Sequence, residues 1–138
     1  MVKSLQIALI FLLLLACNKE QTLLDELNGT WKINGVSLTD SEGIRYEGSV
    51  IAGQLTINSN SKTYTFNLNY STSIVSNTYN YSGTFSLSSD SKIVQLKYLK
   101  PSNELYSYEF KLIYASKDYL KIEYWDESYR LNTLLLSR

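Results

Sequence analysis

The side chains able to do chemistry in this chain are few, and their types narrow that chemistry quickly. Among 138 residues there is no His and a single Cys, Cys17. Ser-His-Asp and Cys-His nucleophile systems and His-containing zinc sites therefore have no members to draw on, and no internal disulfide can form. The carboxylates on or beside strand-like segments are Glu109, Glu123 and the adjacent Asp126-Glu127. Two carboxylates about 5–9.5 Å apart can hydrolyse a glycoside. Nothing in the spacing of these four gathers two of them into one cavity, and acids in turns or on outward strand positions are ordinarily solvated. Lys97, Lys111 and Lys121 stand among apolar neighbours as outer-face residues do, and no glycine-rich phosphate loop occurs. Thirteen basic residues balance thirteen acidic ones, so no net field draws the chain to nucleic acid. No catalytic residue, metal site or cofactor is expected, and an enzyme is the least favoured reading. What stands out instead is 12 Tyr, a side chain with an apolar ring and a polar tip that suits a half-wet cavity or an interface.

Cys17 has a context of its own. Lys3 precedes an apolar run from Leu5 to Leu15 that only Gln6 interrupts. The run is shorter than the ~20 residues that span a bilayer and has the proportions of a signal-peptide core. It ends Leu14-Leu15-Ala16-Cys17, which resembles the lipobox of bacterial lipoproteins. The resemblance implies a signal peptide over residues 1–16, cleavage before Cys17, a diacylglyceryl thioether on its sulfur and acylation of its new amine. Two or more acyl chains hold a protein stably on a membrane where one does not, so the expected partner here is a membrane, through a lipid anchor. Asn18, where an Asp would retain such a protein at the inner membrane, leans toward the outer membrane of a bacterial envelope. Removal of the leader leaves 122 residues with 12 basic and 13 acidic groups, too nearly neutral for a basic membrane-surface binder.

The elements that must position the tyrosines are strands. Asn18 to Gln21 reads as a polar tether, and Thr22 to Leu27 as one helical turn with an acid, Asp25, three positions beyond an N-cap residue. Asn28-Gly29 stops it. From Trp31 on, polar and apolar residues alternate with period two, and turn-rich clusters recur about every 8–12 residues. The alternation predicts eight strands: Thr30 to Leu38, Ser49 to Asn58, Lys62 to Tyr70, Thr78 to Leu87, Lys92 to Leu99, Glu104 to Tyr114, Tyr119 to Trp125 and Ser128 to Ser137. No helix-length segment separates them, so the order is an antiparallel meander in which each strand lies beside its neighbour. Three faces are apolar: Tyr64, Phe66, Leu68 and Tyr70; Tyr79, Tyr81, Phe85 and Leu87; and Tyr106, Tyr108, Phe110, Leu112 and Tyr114. The periodicity alone leaves an open sheet, a sandwich and a closed barrel all available.

Leu27-Asn28-Gly29-Thr30-Trp31 resembles the Gly-x-Trp signature of the lipocalin (calycin) superfamily, in which a short helical turn leads into the first strand. The resemblance implies an all-β fold, an eight-stranded antiparallel up-and-down barrel over residues 28–138. The anchor, tether and helical turn would occupy 17–27. It further implies that Gly29 makes the tight entry, that Trp31 plugs the closed end, and that a basic residue near the end of the last strand packs across the Trp ring. With the last strand antiparallel to the first, Arg138 is a better match for that residue than Arg130.

Two functions are then open. A small apolar or amphipathic ligand would be held in the barrel by Tyr64, Phe66, Tyr79, Tyr81, Tyr106, Tyr108 and Phe110. Alternatively those rings fill the barrel, and the domain is a protein-interaction or inhibitor module of the envelope, with the long connection Thr39 to Gly48 as its lid or contact loop.

Overall fold

The computed structural model describes residues 19–90, 92–100 and 102–138. The expected signal peptide, Cys17 and Asn18 lie outside the described residues. The helix expected over Thr22 to Leu27 reaches back to residue 19, so the polar stretch before it is helical and not a free tether. Nothing in Lys19 to Leu27 breaks a helix, and the Gln21 side-chain amide donates to Asp25 one turn on (2.9 Å). Leu24 and Leu27 are buried. The Asn28 amide closes the helix on the Leu24 carbonyl at 2.9 Å, and Gly29, at φ +118°, turns the chain into the first strand with a backbone conformation that side chains disfavour.

Eight strands follow: β1 (Gly29–Thr39), β2 (Arg45–Asn58), β3 (Thr63–Ser71), β4 (Ser76–Leu87), β5 (Ile93–Leu99), β6 (Leu105–Ala115), β7 (Tyr119–Trp125) and β8 (Leu131–Ser137). Each pairs antiparallel with the next, and β8 pairs with β1 from Lys32↔Ser137 to Thr39↔Leu131, so the sheet is a closed up-and-down barrel. Closure removes the free edges that an open sheet would expose. The helix and the hairpins β2–β3, β4–β5 and β6–β7 sit at one end. The hairpins β1–β2, β3–β4, β5–β6 and β7–β8 ring the other.

Three expectations need correction. The connection expected from Thr39 to Gly48 is a tight loop of residues 40–44, because Arg45 to Gly48 alternate as a strand and pair with Val36 to Thr39. Asp40 closes that loop by accepting from the amides of Glu42 (3.0 Å) and Ile44 (2.9 Å), and the Ile44 bond above all holds its carboxyl below the usual range. The last strand begins at Leu131 and not at Ser128, since Asp126 gathers the amides of Ser128 (2.9 Å) and Arg130 (3.0 Å) and the Arg130 guanidinium (2.9 Å) into a turn. Finally, the register slips between Leu112 and Tyr114. This bulge turns Tyr114 outward, 56% exposed, so the inward row of β6 passes from Leu112 to Ala115 instead.

The core runs the length of the barrel. At the helix end Trp31 is fully buried beside Leu24 and Leu27. Gly53 faces inward, where a side chain would meet Ile33 and Leu68.

Candidate functional site

Inward rows from five strands converge above this plug. Tyr64 and Phe66 of β3, Tyr79 and Tyr81 of β4, Leu96 of β5, Tyr108 and Phe110 of β6 and Tyr124 of β7 surround a central void of about 10 Å³. That is room for one water and far below the roughly 300–1,000 Å³ of drug-sized ligand pockets. The interior is thus filled by rings. Phe66 meets Phe110 edge-on at 5.6 Å, Phe110 lies 4.9 Å from Tyr124, and Tyr81 stacks on Tyr98 at 4.3 Å. Of the seven aromatics singled out from the sequence, six line the void and Tyr106 does not. Tyr106 lies at the rim against Tyr98 and Tyr108 (5.9 and 5.7 Å), with the Lys100 ammonium 3.7 Å above its ring.

Above the void, at the end away from the helix, is a cup of about 180 Å³ lined by Asn77, Tyr79, Tyr81, Tyr108, Asp126, Glu127, Ser128 and Arg130. Tyr79, Tyr81 and Tyr108 line both spaces, so these three half-buried rings are the partition between them. The cup's charges are paired: Arg130 with Asp126 at 2.9 Å, and Lys100 with Glu127 at 3.1 Å. Asn77 donates to the hydroxyls of Tyr79 (3.1 Å) and Tyr70 (3.3 Å). Burial pushes the hydroxyls of Tyr64, Tyr79, Tyr108 and Tyr124 well above their ordinary pKa, so they stay neutral.

The wall beside the cup is incomplete. β4 and β5 pair only from Thr84↔Lys97 to Leu87↔Val94. At Gly83 any side chain would collide with the Lys97 carbonyl, so the strands approach closely there and part above, where the Tyr81–Tyr98 stack fills the gap.

Sequence reasoning missed Tyr98 and Tyr124. Both extend plain alternations, Val94, Leu96, Tyr98 in β5 and Leu120, Ile122, Tyr124 in β7, and those alternations were the signal. The carboxylates are dispersed. Glu109, bonded by Gln95 (3.3 Å), and Glu123 lie on the outer wall, while Asp126 and Glu127 are engaged at the cup. The arrangement can stack a flat ring and hydrogen-bond its polar edge.

At the opposite end, the Arg138 guanidinium lies 4.4 Å over the Trp31 ring. It donates to the carbonyls of Asn28 (2.6 Å) and Glu26, which are helix-end acceptors that favour a cation. The Trp31 indole donates to the Leu27 carbonyl at 2.9 Å, and Gly29 lies against Arg138.

No protein-family model matches the sequence, and no curated protein matches it. Among solved structures, the redesigned β-barrel mFAP1, bound to DFHBI, is 17% identical with a TM-score of 0.48, covering 84% of this chain and 98% of its own. A second redesigned β-barrel is 18% identical with a TM-score of 0.45, covering 84% and 94%. Bovine odorant binding protein with a selenium-containing odorant is 15% identical with a TM-score of 0.46, covering 83% and 71%. The fold itself is established by this chain's own strand order and the β1–β8 ladder that closes it.

Proposed function

We propose that this chain is a non-enzymatic binding barrel, held on the bacterial outer membrane by acyl groups on Cys17. Its ligand would be a small, flat, amphipathic molecule at the tyrosine-lined end. One observation carries the ligand reading: the cup and the central void share Tyr79, Tyr81 and Tyr108 as a common wall. Displacement of one of these half-buried rings would join the two spaces into a slot lined by aromatic faces. The 10 Å³ void argues against a long acyl chain threaded down the barrel. Quinoline is a suitable probe. The protein should bind it saturably in a calorimetric or fluorescence titration, and Tyr81→Ala should weaken binding about 3- to 10-fold, the worth of one aromatic contact. Leu135→Ser on the outer wall should change nothing. Absence of saturable binding would sink the reading. The anchor rests on the lipobox resemblance, and Cys17→Ser should move the protein from the membrane to the soluble fraction.

A second reading, docking of an envelope protein partner on the rim, draws on a separate observation. All four hairpins at the open end carry exposed apolar side chains, among them Ile44, Ile74, Leu99, Leu105, Trp125 and Tyr129.

A further inference from the structure

Tyr124 is 4% exposed, and its hydroxyl is the one buried side-chain polar atom without a hydrogen-bond partner among the described residues. Its surroundings are otherwise closed. The Tyr70 hydroxyl donates to Asn132 (3.4 Å), the Asn132 amide donates to the Arg130 carbonyl (3.1 Å), and Asn77 serves the hydroxyls of Tyr70 and Tyr79. Buried polar groups are nearly always paired, and an orphan at a cavity wall marks a strain or a missing partner. Tyr124 borders the central void, below the partition formed by Tyr79, Tyr81 and Tyr108. We infer that the Tyr124 hydroxyl is the polar anchor of the binding slot, and that the ligand is a neutral flat ring system with a hydrogen-bond acceptor at its leading edge. This rests on the mouth-binding reading above and specifies its ligand.

The chemistry follows from what surrounds the hydroxyl. Burial keeps it protonated, so it donates, and the complementary group is an acceptor such as a ring nitrogen, carbonyl or ether oxygen. The void is lined by rings and Leu96, with no cation among them. The nearest cations, Arg130 and Lys100, are already paired to Asp126 and Glu127. An anionic ligand would be buried there without a counter-charge, which is costly. The ring requirement comes from the lining of the void, which apart from Leu96 is made of aromatic side chains.

Quinoline and naphthalene differ by a single acceptor nitrogen at equal shape, and quinoline is neutral above pH 7. Their dissociation constants are compared for the mature chain, its Tyr124→Phe variant and Tyr70→Phe, which removes a neighbouring but partnered hydroxyl. In Tyr124→Phe the preference for quinoline over naphthalene should fall about 3- to 10-fold, the worth of one neutral hydrogen bond. Naphthalene binding should hold, and so should the preference in Tyr70→Phe. The phenyl ring keeps the packing on Phe110 and breaks no hydrogen bond, so the melting temperature should not drop. A measurement independent of any variant is the NMR shift of the Tyr124 Cζ carbon, which quinoline should move further than naphthalene, since both add a ring current but only quinoline accepts from the hydroxyl. An unchanged preference, or an equal fall in Tyr70→Phe, overturns the anchor while leaving mouth binding intact. If neither probe binds the unaltered protein, the mouth-binding reading falls and the anchor falls with it.

Discussion

Two side chains 107 positions apart fasten the closed end of the barrel. Trp31 places its ring under the helix and gives its N–H to the Leu27 carbonyl, and Arg138 lies over that ring while its guanidinium serves the carbonyls of Glu26 and Asn28. Trp31→Ala should cost about 3–5 kcal/mol, as for a large core aromatic. Arg138→Ala should cost about 1 kcal/mol, a cation–π contact reduced by the exposure of the guanidinium. In the Trp31→Ala background the Arg138 change should cost less, by roughly 0.5–1 kcal/mol, the coupling of two residues in contact. Urea midpoints of the four proteins measure this, and equal Arg138 costs in both backgrounds would show that the stacking contributes nothing. At this scale legibility depended on local chemistry. Gly29 could be picked out as a helix stop, and its role with Trp31 at the closed end came from the resemblance of Gly29-Thr30-Trp31 to the Gly-x-Trp signature. The inward position of Tyr124 was readable in the alternation Leu120, Ile122, Tyr124, but its orphaned hydroxyl was not, since that is a property of distant strands brought together.

The strands themselves were legible because burial on one face writes period two directly into side-chain type, and β7 (Tyr119–Trp125) falls where the alternation places it. The irregularities were not. A bulge adds one residue without changing local hydropathy, so the row Tyr106, Tyr108, Phe110, Leu112 continues on paper to Tyr114 although the register slip sends that ring outward. The start of β2 was hidden for a related reason: Arg45 and Glu47 look like loop residues, yet they occupy outward positions opposite Thr39 and Ser37 and pair with each other at 2.7 Å. Asp126-Glu127 were read as a turn, but Ser128 to Arg130 were misread as strand, because the order of that turn comes from one carboxylate collecting two amides and a guanidinium, an arrangement with no periodic signature. Elements whose geometry follows from repetition are readable in a single sequence, and elements shaped by one side chain reaching across are not. The cup belongs to the second kind, since its rim is the Asp126 turn and its side is the parting of β4 from β5.

Across the whole molecule, the filled interior has a consequence for stability against pH. Burial raises the pKa of Tyr64, Tyr79, Tyr108 and Tyr124 in the folded barrel, whereas in the unfolded chain a Tyr ionises near ~10. Below that value all four are neutral in both states and the folded barrel holds its full stability. Above it the unfolded chain releases protons that the folded one retains, so stability falls as pH rises, by up to about 1.4 kcal/mol per pH unit for each proton withheld. With no His in the chain, no imidazole titration adds a step between pH 6 and 8. Urea midpoints should therefore be level from neutral pH to about 9.5 and drop steeply beyond ~10. Phenolate absorbance near 295 nm from the buried rings should rise together with the loss of near-ultraviolet circular dichroism, because these rings ionise only by unfolding. Phenolate forming in them while the barrel stays intact would mean that water already reaches the interior. The partition between cup and void would then stand open, and a ligand would not need to displace a ring to enter.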